Sequence, residues 1–205
     1  MTPDLRHELH DGIDGADQLG RVVPCLADLV ATVRPADLRA STPCEGWTTR
    51  DLLNHVVGGA EMFAGALQGG PVHDISGRLP DVVGDDPAGA LGRAVERFGS
   101  AAESPGAADR VLPLPWGPMT GRTFLRFAAF DLLVHSWDLA VALDQPFDPP
   151  DDLVVEVEGF AHHVLDGWAR DGVTFSAPAP PPDDAAPIDR LVAYTGRTVG
   201  VPAGR

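Results

Sequence analysis

His55, Asp131 and His135 are the residues of this chain whose types and spacing could do chemistry together. Asp131 and His135 stand four apart in a strongly apolar stretch, so on a helix both side chains leave the same face. That face also carries Phe124, Phe127, Ala128, Leu139 and Ala142, which makes it core-facing. A carboxylate on a core face is costly unless it is paired or bound to a metal. His55 lies in a second apolar stretch, among Leu52, Val56 and Gly59. An imidazole from one helix facing a carboxylate and an imidazole from another is how bundle proteins build divalent-metal sites. Two His and one carboxylate with open coordination positions suit Zn²⁺ or another divalent ion. Spacing alone leaves plainer readings open. A buried His is commonly a hydrogen-bonded core residue, and an Asp–His pair at i, i+4 is commonly an ordinary helix pair. Asp138, one turn after His135, can orient that imidazole from behind or pair with an Arg.

Other constellations are weaker. Glu158, His162 and Asp166 share a helix face but read first as a solvated surface. His7, His10, Asp11 and Asp14 fall in a polar N-terminal stretch, and His73 with Asp74 in a loop. Cys44 could be a nucleophile at a helix start, where the dipole lowers a thiol pKa. The alternative is a small buried residue fixing a turn. Trp47 and Trp137 read as packing for helix ends. No phosphate loop, G-x-S-x-G elbow or C-x-x-C pair is present.

The elements that must position these residues are helical. A first helix spans about 17–33, with Leu19, Val22, Val23, Leu26, Leu29, Val30 and Val33 at three- and four-residue steps. Pro24 should kink it or mark a restart. A second starts with Thr48 as N-cap and Asp51 three residues on, close to a capping box, and stops at Gly69-Gly70. Residues 71–86, rich in Pro, Gly and Asp, read as a loop. A third helix covers 87–102 with Pro87 at its first position. A long connection follows over 103–122, with room for one short strand at Val111-Leu112. A fourth, the most apolar, covers about 123–143, a fifth runs from Pro149-Pro150 to about Arg170, and a short last one covers about 186–194. There is no convincing β alternation. The expected fold is all-α, an up-and-down four-helix bundle with long loops and an extra short C-terminal helix.

Composition removes other classes. The chain has 205 residues, 30 Asp and Glu against 15 basic residues, a formal charge of −15, and every basic residue is Arg. A polyanion of this kind is repelled by nucleic acid and by anionic membrane surfaces. Chemistry needing a catalytic Lys is excluded. No apolar run approaches the roughly 18 residues of a membrane span, and no signal peptide is visible. Two cysteines do not make a disulfide framework. The expectation is a cytoplasmic protein with one domain over 1–205, its core at about 16–198.

Two stretches carry a resemblance. Thr42-Pro43-Cys44-Glu45-Gly46-Trp47 leads through Leu52 to His55, and Asp131 leads through His135-Ser136-Trp137-Asp138 to Leu139-Ala140. They resemble the TPC-x-x-W-x-x-x-x-L-x-x-H and H-x-W-D-L-A signatures of actinobacterial DinB-like metal-binding proteins. That group includes the metal-binding N-terminal domain of mycothiol-dependent maleylpyruvate isomerase. The stretch 184–191 and Gly196-Arg197 look like the end of one subfamily of this group. The resemblance implies a DinB-like bundle with a divalent ion, Zn²⁺ before Ni²⁺, held by His55, Asp131 and His135. Relatives place Glu or His where this chain has Asp131. It further implies thiol chemistry: a low-molecular-weight thiol such as mycothiol, ionised by the metal, attacks a small electrophile in S-transferase or isomerase reactions. The partners implied are a small-molecule substrate and that thiol, with the protein a monomer or homodimer. The alternative is a non-catalytic metal-binding or regulatory helical module.

Overall fold

The computed structural model describes residues 8, 9, 11–73, 75, 77–114, 117–166, 170 and 175–200. Among the described residues the regular elements are six α-helices, one β-hairpin and a short 3-10 turn at Asp37–Arg39: α1 (Gly15–Val30), α2 (Thr49–Leu67), α3 (Pro87–Ala102), β1 (Val111–Leu114), β2 (Gly117–Thr120), α4 (Gly121–Ala142), α5 (Asp151–Val164) and α6 (Pro187–Tyr194). The helical bundle expected from the periodicity is present.

The helix limits follow from local chemistry. The Thr48 side chain accepts from the Asp51 backbone N–H, and the Asp51 side chain accepts from the Thr48 backbone N–H, a complete capping box. Asp86 caps α3, with Pro87 in its first turn. Asp14 caps α1 through the Ala16 and Asp17 backbone N–H groups. α1 runs uninterrupted through Pro24. Pro24 and Gly20, whose carbonyl loses its helical partner, both lie on the exposed side, where water can serve that carbonyl.

Contacts give the helix directions. The second half of α1 (Leu26, Leu29, Val30) shares a core with the start of α2 (Leu52, Leu53). The first half (Leu19, Val22) shares the other core cluster with the end of α2 (Phe63, Leu67). α1 and α2 are therefore antiparallel. α3 runs parallel to α2: Arg50 near the α2 start reaches the Gly84 carbonyl at 2.9 Å, and Glu61 meets Arg97 at 2.6 Å further along. α4 runs parallel to α1, because Gly15 abuts Leu125 and Arg126 while Thr32 bonds Gln145. The order is thus up-down-down-up: α2 and α3 are joined by a long crossover, which corrects the strictly up-and-down order expected from the sequence while keeping the helical bundle.

Parallel α2 and α3 require a return segment, and the described residues 72, 73, 75 and 77–84 lie as a strap along α2. His73 N–H donates to Met62 Sδ, Ile75 packs at Gly59, Leu79 at Gly58, and the backbone N–H groups of Val82 and Val83 donate to Asn54 Oδ1 at 2.8 and 3.1 Å. Arg50 closes the strap through Asp81 and Gly84.

The connection before α4 departs from the expected single strand. It folds into an antiparallel hairpin in which Val111 pairs with Thr120 and Leu112 with Met119. Leu112, Leu114 and Met119 turn inward. Helix α5 ends at Val164, short of the expected Arg170, and residues 167–169 lie outside the described set. Among the described residues, no helix is long and apolar enough to cross a membrane.

Candidate metal centre

Helix α4 is buried around most of its circumference from Thr123 to Ala140. Asp131 and His135 leave it on one face, as the i, i+4 spacing requires. Helix α2 brings His55 against that face. His135 Nε2 stands 3.5 Å from Asp131 Oδ1, and His55 Nε2 stands 3.8 Å from Asp131 Oδ2. One ligand atom from each residue lies within 4.8 Å of the others. The three residues singled out from the sequence are thus brought together.

Hydrogen bonds on the far side of each ring decide where the lone pairs face. His135 Nδ1 lies 2.9 Å from Asp138 Oδ2, and His55 Nδ1 lies 3.1 Å from the Ile75 carbonyl. A carboxylate and a carbonyl can only accept, so each Nδ1 carries the proton. In the neutral rings both Nε2 atoms are then bare and directed at Asp131. The Nε2–carboxylate distances are long for hydrogen bonds. They are close to the roughly 3.4 Å separating two donors of a tetrahedral ion whose bonds are about 2.0–2.1 Å. Metal-bound His rings take this support, one nitrogen inward and the other donating to a carboxylate or carbonyl. The donor set therefore fits a divalent cation.

Without an ion, Asp131 and His55 couple as opposite charges, which favours the protonated His55 ring; an ion bound at Nε2 would displace that proton. Burial pushes the Asp131 pKa up, but His135, His55 and Arg197 outweigh it and hold the group below the ordinary Asp value. Burial pushes His55 down, while Asp131 and the Ile75 carbonyl more than reverse this. Asp131 keeps 28% of its side-chain surface exposed, so the centre opens to solvent on the carboxylate side.

Behind His135 is a buried ionic cluster that sequence reading reached only in part. Asp138 is 0% exposed. Its Oδ1 accepts from Arg197 Nε at 2.8 Å, and its Oδ2 accepts from Arg197 Nη2 at 2.7 Å and from the Cys44 thiol at 3.3 Å. Burial opposes ionisation of Asp138, but Arg197 and His135 overcome it and leave its pKa far below normal. Asp138 thus does both things proposed for it: it accepts from His135 and it pairs with an Arg. Arg197 comes from the segment after α6 and had been read only as part of a terminal motif.

Of the two readings of Cys44, the surroundings favour the small residue fixing a turn over the nucleophile. Cys44 stands in a turn before α2, closed by Thr42 N–H donating to the Trp47 carbonyl and Trp47 N–H to the Cys44 carbonyl. Burial, then the Asp138 charge, drives its thiol pKa well above the usual value, opposite to an activated thiol. A second grouping, Cys44, His135 and Asp138, also lies within metal-binding reach. There Asp138 is already engaged by the Arg197 fork. Trp47 packs on both imidazoles, with ring centroids 5.0 Å from His55 and 6.4 Å from His135.

Among the described residues, the remaining sequence candidates form no further metal-binding group. His162 and Asp166 are 3.8 Å apart on the surface, with His162 against the Tyr194 ring. Asp11 pairs with Arg126 and Asp14 caps α1. His7, His10 and Asp74 lie outside the described residues.

Comparison with known proteins gives a consistent picture. The sequence profile of the mycothiol maleylpyruvate isomerase N-terminal domain matches residues 20–140. Two Mycobacterium tuberculosis proteins, the uncharacterized proteins MT0763 (strain CDC 1551 / Oshkosh) and Rv0738 (strain ATCC 25618 / H37Rv), are each 34% identical over 180 residues. Those alignments cover 87% of this chain and 95% of each relative. Among solved structures, the mycothiol-dependent maleylpyruvate isomerase superposes with a TM-score of 0.55 at 18% identity, over 78% of this chain and 72% of that one. A point mutant of the same enzyme gives 0.55 at 16% identity. At these identities the superpositions speak for the fold.

Proposed function

Because the chain belongs to the mycothiol maleylpyruvate isomerase N-terminal domain family, we propose that it binds a divalent metal through His55, Asp131 and His135 and uses mycothiol in isomerase or S-transferase chemistry on a small electrophile. The observation that carries this reading is the paired orientation of the two imidazoles. Both Nδ1 atoms are tied to acceptors, and both Nε2 atoms are turned to one carboxylate. Zn²⁺ is the ion we favour, since two nitrogens and one oxygen with room for an exogenous ligand are the donor set of catalytic zinc.

A bound divalent cation would stabilise the anion of a thiol, so that thiolate is present near neutral pH. The chain's own residues do the rest. Asp131 would neutralise part of the cation's charge, and its own partly exposed side chain leaves room for the thiol to approach. Asp138, kept ionised by Arg197, holds His135 in the Nδ1-protonated form. Trp47 shields the imidazoles on one side. The thiol sulfur adds to a conjugated double bond, which becomes a single bond and rotates. Expulsion of the same sulfur then regenerates the thiol and yields the other geometric isomer. Retention of the sulfur, with proton uptake by the carbon, gives the S-transfer product.

Metal analysis of untagged protein tests the centre. Wild type should carry close to one divalent ion per chain and His135→Ala far less; equal contents would overturn the assignment. Turnover with mycothiol and a panel of electrophiles then separates an enzyme from a metal-binding module. A metal-loaded protein with no rate above background would favour the module.

A further inference from the structure

The two imidazoles are held differently. The His135 acceptor, Asp138, is three residues away on the same helix. The His55 acceptor is the Ile75 carbonyl, twenty residues away on the strap. Aim at Asp131 is thus built into α4 for one ring and depends on the seating of an irregular segment for the other.

Several residues of α2 hold the strap, and two of them lie next to His55 along the helix: one adjacent to it and one a turn away. Gly59 is one turn beyond His55, and a Cβ there would lie 3.2 Å from Ile75 Cδ1. A side chain at position 59 would press on Ile75, the residue whose carbonyl meets the ring. Asn54, adjacent to His55 and 3% exposed, accepts from the backbone N–H groups of Val82 and Val83. It clamps the returning end of the strap, where Val83 is buried in the core. We infer that Gly59 and Asn54 are positioning residues for the metal centre, acting through the strap to place the Ile75 carbonyl that orients His55.

This inference rests on the metal reading above and adds a linkage to it. If the strap orients a ligand, ion binding must favour the seated strap, and the seated strap must favour ion binding by the same factor.

The test measures Zn²⁺ affinity, the Co²⁺ absorption spectrum and amide hydrogen exchange on the full chain. Gly59→Val pushes on Ile75 Cδ1. The expected result is a 10- to 100-fold loss of affinity, of the size seen when a ligand's outer partner is disturbed, with altered Co²⁺ bands and wild-type helicity. Ile75→Ala added to Gly59→Val removes the obstructing methyl but keeps the carbonyl, so affinity and spectrum should return to near wild type. In the wild-type chain, Zn²⁺ should slow exchange at Val82 and Val83, which needs no variant to fold. Wild-type affinity and spectrum in Gly59→Val, no rescue by the second change, or unaltered exchange would each overturn the inference. Absence of Zn²⁺ binding by the wild-type chain would instead overturn the metal reading itself.

Discussion

At the scale of single residues, the cluster behind His135 matters as much as the three candidate ligands. Asp138 is a fully buried anion held by Arg197, the Cys44 thiol and an imidazole. A buried pair adds little net stability, yet removing one partner strands a charge and costs about 3–5 kcal/mol. Arg197→Met is therefore expected to lower unfolding free energy by about that amount, measured by urea denaturation of the metal-free protein. Asp138→Asn combined with Arg197→Met should recover part of the loss, because neither buried charge is then left alone. An Arg197→Met chain within about 0.5 kcal/mol of wild type, the usual range of neutral surface changes, would show the pair to be dispensable. His55, Asp131 and His135 were legible in the sequence because helix period and motif both act over a few residues. Arg197 was not, since it reaches Asp138 from 59 positions away with no local pattern. The one available signal was general: a buried Asp needs a cation, and in a chain without Lys that cation is Arg or His.

At the scale of elements, legibility tracked how local the determinants are. The bounds of α3 follow from Asp86, Pro87 and an apolar stripe, and the structure returns the expected 87–102. The hairpin was hidden because Pro113 and Pro118, which face each other in it, interrupt any strand pattern. A two-stranded ribbon tolerates them because each strand has a free edge where no ladder donor is needed. The strap read only as a Pro- and Gly-rich loop. Its order comes from partners on α2, and composition does not report partners. The start of α2 bears directly on the site, since the turn carrying Cys44 and Trp47 enters the helix at the Thr48–Asp51 box. Thr48→Ala removes the acceptor for the Asp51 N–H and should cost about 0.5–2 kcal/mol, read as a lowered melting temperature. Thr48→Ser keeps the oxygen and should retain most of that stability. Equal losses in both would mean that capping is not what stabilises this end.

At the scale of the whole molecule, a charge of −15 sets two opposed pH trends. Acidification from neutrality toward the pI of about 4.6 reduces self-repulsion and favours the folded state. Below that, carboxylates that are better partnered when folded must be protonated. Asp11 is one of them. Burial raises its pKa, but its hydrogen bonds from Arg126 and the Ile13 backbone outweigh this and leave it below the ordinary Asp value. A lowered folded-state pKa gives stability that is fully present above about 3.9 and is lost as pH falls through the folded value. Stability should therefore peak on the acid side of neutrality and fall steeply below about pH 4. Asp11→Asn isolates one contribution. Arg126 is 2% exposed and donates a two-point bond to the Asp11 carboxylate, at 2.7 and 2.9 Å. Weakening that partner should cost on the order of 1–3 kcal/mol near neutral pH. The difference from wild type should shrink as pH falls through the lowered folded-state value, where the wild-type carboxyl takes up its proton. Urea midpoints of both metal-free proteins, followed from pH 7 downward into the acid range, measure it. A difference that is as large in acid as at neutrality would mean that Asp11 contributes through packing and that its charge is incidental.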